Sequence, residues 1–147
     1  MIQFKCTYCP DKGKCDESKC PIDNMITEIQ EMQEFLEITA SDNPVELLTR
    51  LTDLNVYLAR SGKMLADAKA IQDILTANIF GYKGDYISRL STTLASKFIT
   101  SQTATINQIV IWLDRINRTC VHQSDNIRTQ ISFAKMEKQN INRGIGA

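Results

Sequence analysis

The stretch Ile106-Asn-Gln-Ile109-Val-Ile-Trp-Leu113-Asp-Arg-Ile116-Asn-Arg-Thr-Cys120 decides the fold that the sequence predicts. Its apolar residues recur at steps of three and four, which places them on one side of an α-helix. The same spacing continues through Ile127, Ile131 and Ala134. We therefore expect a long helix over about residues 102–140 with one apolar side.

Helical periodicity predicts three more helices, and no segment shows the alternating pattern of a strand. We expect these helices over about residues 22–40, 44–80 and 85–100. The apolar seams of the first two are Ile22, Met25, Ile29, Met32, Leu36, Leu47, Leu51, Leu54, Leu58, Leu65, Ala68, Ile71 and Leu75.

Turn chemistry sets the predicted boundaries. Pro44, preceded by Ser41-Asp-Asn, starts the second helix, and Gly81-Tyr-Lys-Gly84 is predicted to be the turn that ends it. Two long helices joined by a short connecting helix form an antiparallel hairpin or bundle. Such a hairpin buries only one side of each rod, so we expect self-association into a dimer or larger oligomer. The expected fold is all-α, with residues 21–147 as the helical domain.

Bulk composition gives no indication of a nucleic-acid or membrane partner. The 147 residues balance 17 Lys and Arg against 17 Asp and Glu, so no global field draws the chain toward nucleic acid or membrane. The N-terminus lacks the apolar run of a signal peptide, and no stretch approaches the roughly 20 apolar residues of a membrane span. We therefore expect a cytoplasmic protein.

Charge is unevenly distributed along the chain. The segment Asp23 to Glu46 holds seven acids and no base, whereas the chain from Gly81 onward holds nine bases and four acids. Two interpretations stay open. The acidic segment packs against the basic one, within a chain or between subunits, or each is a separate solvated surface.

Four of the five cysteines fall within residues 1–20, a segment too short and polar to form a core of its own. In a reducing cytoplasm, clustered cysteines bind metal more often than they form disulfides. Zinc takes four tetrahedral thiolates, and a C-x2-C turn supplies two of them to one ion. We predict a zinc module, with an iron–sulfur cluster ending at Cys20-Pro21, two disulfides or free thiols as alternatives. The predicted ligands are Cys6, Cys9, Cys15 and Cys20.

The cysteine spacing C-x2-C-x5-C-x4-C resembles the zinc knuckle, C-x2-C-x4-H-x4-C, with cysteine in place of histidine and one residue inserted. Tyr8 and Gly13 are loose counterparts of its aromatic and glycine. The resemblance implies binding of single-stranded nucleic acid, with Tyr8, Lys12 and Lys14 as contacts. Four lysines, three acids and the two net negative charges of a zinc tetrathiolate leave this segment near −1, which disfavours phosphate. We therefore expect a structural role and keep nucleic-acid binding as an alternative.

No catalytic constellation is evident in the sequence. Ser-His-Asp order, a phosphate-binding glycine loop and a His-Glu-x-x-His motif do not occur. His122 is the single histidine, and Cys120, two positions before it, lies on nearly the opposite side of the helix. A Cys–His dyad within this helix is excluded, and we predict no enzyme activity.

Basic side chains in the middle of two helices form the predicted binding site. Those of the last helix fall on neighbouring turns, and those of the second are expected at the same level of an antiparallel hairpin. They suit an anionic small molecule or the carboxylates of a partner. The alternative is that they form ion pairs within the bundle. The residues concerned are Arg60, Lys63, Arg115, Arg118, His122 and Arg128.

Two blocks, Leu58-Ala-Arg-Ser-Gly-Lys-Met-Leu-Ala-Asp-Ala-Lys69 and Leu113-Asp-Arg-Ile-Asn-Arg-Thr-Cys-Val-His-Gln-Ser-Asp-Asn-Ile-Arg128, resemble small all-helical proteins of bacteriophage and prophage genomes. That resemblance implies a phage accessory protein in the host cytoplasm and no established activity. We expect a non-enzymatic, oligomeric binding protein that engages a host protein or sequesters an anionic small ligand. A structural scaffold component of a virion or complex is a further alternative.

Overall fold

The computed structural model describes residues 21–144, which form four α-helices and no strand. The predicted all-α class is confirmed for this part of the chain. The predicted cysteine module at residues 1–20 lies outside the described residues. The helices are α1 (Pro21–Glu37), α2 (Pro44–Ile87), α3 (Thr92–Gln102) and α4 (Ala104–Gly144).

The turn predicted at Gly81–Gly84 is wrong, because α2 continues through both glycines and ends at Ile87. A glycine inside a helix costs about 1 kcal/mol relative to alanine, so local preference opposes this extension. Contacts with the rest of the fold outweigh this cost. The extra turns bury Ile87 and bring the ring of Tyr86 to 5.3 Å from that of Phe98 on α3.

The chain turns at residues 88–91 instead. There the hydroxyl of Ser91 accepts a hydrogen bond from the backbone N–H of Leu94 at 3.4 Å and caps the start of α3. The connecting helix is therefore shorter than the predicted 85–100. In the sequence, the start of this helix is marked by the capping residue Ser91 and not by the pair Gly81 and Gly84.

α2 and α4 pack against each other and run antiparallel. Residue numbers rise along α2 while those of the α4 partners fall, which confirms the predicted antiparallel hairpin. Three hydrogen-bonded pairs show this register: Arg50 with Gln123, Ser61 with Asn117, and Gln72 with Asn107.

α1 packs against the middle of the hairpin and turns it into a three-helix bundle. It runs antiparallel to α2 and parallel to α4. Four contacts define its direction: Glu28 with Arg60 and Phe35 with Tyr57 on α2, and Gln33 with Trp112 and Leu36 with Gln123 on α4.

The core lies where α1, α2 and α4 meet. All five predicted seam residues of α1 are buried, as are the α4 seam residues from Ile106 to Ile127. Burying one such side chain stabilises the fold by roughly 1.5–3 kcal/mol relative to leaving it exposed. The largest fully buried side chains are Ile29, Leu54, Ser61, Met64, Ile106, Leu113, Ile116 and Cys120.

Candidate functional site

The predicted basic residues of α4 lie on its solvent side. Leu113, Ile116 and Cys120 point into the bundle, so residues half a turn away from them point outward. Arg115 and His122 are both on this exposed side. We call the surface formed by Ile111, Arg115, Arg118, His122, Phe133 and Met136 the outer face of α4.

Four of the six predicted binding residues form ion pairs with acids of the same chain. Three of the pairs join residues one turn apart on an exposed helix surface, where a pair stabilises by only about 0.3–0.5 kcal/mol. Carboxylates of a partner can therefore replace those acids at little cost. The pairs, with N–O distances from 2.5 to 3.0 Å, are Arg60–Glu28, Lys63–Asp67, Arg118–Asp114 and Arg128–Asp125.

Arg60 binds α1 and not α4. Its Nε and Nη2 donate to the two carboxylate oxygens of Glu28 at 2.6 and 2.5 Å. These bonds stabilise the carboxylate and hold the pKa of Glu28 below its usual value. Arg115, Arg118 and His122 lie on the side of α4 opposite its buried residues, so the structure does not gather the six predicted residues into one site.

Among the ion pairs of residues 21–144, only one includes an acid of the acidic segment, and that acid is Glu28. Its partner, Arg60, precedes the basic segment that begins at Gly81. The exposed acids Glu31 and Glu34 of α1 lie on its solvent side. Within a single chain, the acidic and basic segments are therefore not joined by an ion pair in the part that the structure describes.

Exposed apolar side chains of α4 lie on the same side as its basic residues, and they are not among the residues predicted from the sequence. Phe133 and Met136 are 60% and 56% exposed, and Ile111 is similarly open. From Ile111, steps of three and four lead through Arg115, Arg118 and His122 along this side. The signal was present in the sequence, because Phe133 and Met136 fall off the predicted seam.

A cluster of polar side chains, formed by Arg50 and Gln123, binds the end of α1. It was not predicted from the sequence either. The Nη2 of Arg50 donates to the carbonyl oxygen of Phe35 at 3.2 Å and to Gln123 Oε1 at 3.1 Å. The guanidinium carbon lies 4.7 Å from the centre of the Phe35 ring, a cation–π contact. Gln123 Nε2 donates to the carbonyl oxygen of Leu36 at 2.9 Å. Carbonyls left unpaired at a helix end thus find donors, and a positive charge sits at the negative end of the helix.

An open cleft of about 310 Å³ lies beside this cluster, between residues 36–40 and α4. Arg50 and Gln123 form part of its wall, and Glu37 lies at the same site. One positive and one negative side chain therefore face the cleft beside the carbonyl end of α1. Arg50 and Gln123 supply hydrogen-bond donors to the end of α1. Because Arg50 and Glu37 have opposite charges, the cleft has no net positive charge that would attract an anion.

The metal prediction concerns residues that the structure does not describe. Among residues 21–144, no group of three His, Cys, Asp or Glu side chains is placed to bind a metal ion. The fifth cysteine, Cys120, is buried in α4, and its burial raises the pKa of the thiol.

Over the same residues, no helix combines the length and apolar content that crossing a bilayer requires. Comparisons with protein-family models, with curated proteins and with solved structures gave no match.

Proposed function

We propose that the protein is a non-enzymatic, oligomeric binding protein of the phage accessory type, and that the outer face of α4 binds an acidic surface of a host protein. The observation that carries the proposal is the exposure of Phe133 and Met136 on the same side of one helix as Arg115 and Arg118. The bundle core covers the opposite side of α4 as far as Ile131, so Arg115 and Arg118 are preorganised for binding. Met136 lies on the last part of α4, where every residue from Lys135 to Gly144 is exposed.

The composition of the outer face of α4 is that of an interface. Aromatic residues, methionine and arginine are enriched at the centres of protein interfaces. Over its whole length α4 carries six Arg or Lys and three Asp or Glu, a formal charge of +3. Such a charge accelerates association with an acidic surface and disfavours basic partners.

Shape favours a protein over a small molecule as the partner. Small ligands bind in concave pockets that cover most of their surface. The outer face of α4 is the convex side of a helix, which fits the groove or flat surface of another protein. An anionic metabolite would find exposed arginines there but little enclosure.

Affinity capture with matched variants tests this proposal. The wild-type protein and the variants R115E/R118E and K69E/K97E are immobilised and exposed to a bacterial host lysate. Lys69 and Lys97 are exposed bases away from the outer face of α4, so the control reverses the same number of charges. Circular dichroism verifies that all three proteins keep the same helix content.

We expect a host protein that the wild type and K69E/K97E retain and that R115E/R118E does not retain. A second pair, F133S and L94S, separates the apolar contribution, because Leu94 is an exposed apolar residue on α3. Retention of the same proteins by R115E/R118E, or no specific protein in any sample, contradicts the proposal.

We further propose that Cys6, Cys9, Cys15 and Cys20 hold one zinc ion and order the segment before α1. The spacing of the four thiols and the C-x2-C pair support this assignment. Native mass spectrometry of protein purified without chelator measures the bound metal and the subunit count together. Iron in place of zinc, or no metal at all, contradicts the assignment.

A further inference from the structure

α2 has apolar or small residues on two opposite sides. One side packs against α4 through Leu54, Ser61 and Ala68, which are fully buried. The other side faces solvent, and we call it the outer face of α2. Beginning at Val45, steps of three and four reach eleven positions up to Gly81, and only Lys63 among them is charged.

The large residues of the outer face of α2 are unusually open. Their exposed fractions range from 48% to 72%: Val45, Leu48, Val56 and Ile74. A contiguous exposed apolar patch on a protein surface marks an interaction site. Among residues 21–144, no helix covers these side chains, so the described part of the chain leaves a helix-length apolar strip open.

From these observations we infer that two copies of the chain dimerise through the outer face of α2, with their α2 helices antiparallel and a two-fold axis near Lys63. This inference rests on the oligomeric part of the proposed function and supplies its interface. It is separate from the outer face of α4, which stays open in such a dimer.

Side-chain sizes along the strip favour the antiparallel arrangement. When Lys63 faces its own copy, Leu48 of one protomer faces Ala77 of its partner, and Val56 faces Ala70. Large residues therefore meet small ones on both sides of the axis, as in a self-complementary two-fold interface. A parallel pair would instead place Ala70 opposite Ala70 and Leu48 opposite Leu48.

Gly81 has an explanation in this dimer that it lacks in the monomer. It lies inside α2, where glycine costs about 1 kcal/mol relative to alanine. A Cβ atom built on Gly81 meets no atom of residues 21–144 within 4 Å, so packing within this part of the protomer does not require glycine. In the antiparallel pair, Gly81 faces Val45 of the second copy, where a small residue allows close approach.

The area and charge of the strip are compatible with a stable dimer. The overlap from Val45 to Gly81 spans about 54 Å at 1.5 Å per residue, and a helix is about 10–12 Å wide. Two such strips bury about 1,200 Å², the lower end of the range for specific interfaces. Each Lys63 at the axis is compensated by Asp67 of its own helix, 2.5 Å away.

Sedimentation velocity of the full chain tests the inference with A70E and V56E as interface variants and L94E as the control. All three place a glutamate at an exposed position, and circular dichroism checks their folding. We expect the wild type and L94E to sediment as dimers, and A70E and V56E to dissociate at least tenfold more readily.

Photo-crosslinking gives the direction of the helices. A benzophenone amino acid replaces Leu48 in unlabelled chain, which is mixed with isotope-labelled wild type so that intermolecular products are identified by mass. Crosslinks to the region of Ala77 support the antiparallel pair, and crosslinks to the region of Leu48 overturn it. A wild-type monomer overturns both this inference and the oligomeric part of the proposed function. An oligomer that A70E and V56E leave intact overturns the inference alone.

Discussion

The side-chain amide of Asn117 on α4 donates to the hydroxyl of Ser61 on α2 at 3.0 Å and to the carbonyl oxygen of Leu58 at 3.1 Å. Ser61 is fully buried at the centre of the helix pair. A buried polar group that loses its partner costs about 1–3 kcal/mol, so sliding α4 by one turn is strongly disfavoured. This contact therefore sets the register of the hairpin, in the way that single buried polar residues do in coiled coils.

Replacing Asn117 with alanine should lower the free energy of unfolding by about 1–3 kcal/mol, because two hydrogen bonds across the interface are lost. Chemical denaturation monitored by circular dichroism measures the change. N55A is the matched control, since Asn55 is exposed on α2 and should change stability by less than about 0.5 kcal/mol. Equal effects of the two substitutions would show that the buried amide does not set the register.

Leu113 tests the assignment of the core. It is fully buried where α4 meets the other helices, so L113A should leave a cavity and cost about 2–5 kcal/mol. L94A removes the same atoms from an exposed position and should cost less than about 0.5 kcal/mol. Denaturant midpoints with unchanged slopes provide the comparison. A cost for L113A as small as that for L94A would place Leu113 outside the core.

The Glu28–Arg60 pair predicts a pH dependence of stability. Arg60 lowers the pKa of Glu28 in the folded state, so this carboxylate stabilises the fold above its unfolded pKa. That contribution is lost as the pH falls through the lowered folded pKa. Both side chains are partly exposed, and the effect should therefore stay below about 1 kcal/mol and shrink in high salt.

The measurement compares the wild type with E28Q between neutral and acid pH. The wild type should lose more stability than the variant as the carboxylates protonate. E34Q serves as the control, because Glu34 is an exposed acid of the same helix. Parallel curves for the wild type and E28Q would be inconsistent with a stabilising pair.

Cys120 should react slowly with thiol reagents in the folded protein. Its side chain is fully buried, and burial raises the pKa of the thiol, which reduces the reactive thiolate. Alkylation by iodoacetamide, followed by mass mapping of the peptide that contains Cys120, separates this residue from the N-terminal cysteines. Labelling should rise with denaturant in parallel with the loss of helix. Rapid labelling in native buffer would mean that the seam around Cys120 opens freely.

Periodicity alone predicted the core residues of α1 and α4, but not all of those of α2. There, only Leu47, Leu54 and Ala68 among the eight predicted seam residues are buried, and the buried Met64 was not predicted. Every predicted seam residue of α1 is buried, and the α4 seam is buried from Ile106 to Ile127. The polar residues of the interface were not recognised, although Ser61 and Gln72 occupy positions that the seam spacing reaches. From the sequence alone, a polar side chain at such a position looks like a break in the apolar seam, because its hydrogen-bond partner on the other helix is not known.

The surroundings of the six predicted basic and histidine residues could be predicted only in part. Their exposure on α4 follows from the seam, since Arg115 and His122 lie half a turn from buried residues. The residues that contact these basic side chains cannot be predicted from the apolar seam. Nothing in the sequence shows that Arg60 turns toward Glu28 of α1, because that contact depends on where a third helix lies in space.

The sequence by itself determined the helical class, the apolar seams of α1 and α4 and the start of α2 at Pro44, since these depend on residues within a few turns of each other. Only the tertiary structure decided that α2 continues through Gly81 and Gly84, that α1 covers the middle of the hairpin, and that Asn117 meets Ser61. The physical reason is the same in each case. A local cost of about 1 kcal/mol for a glycine, or for a polar side chain in a seam, is outweighed by contacts between residues far apart in the chain.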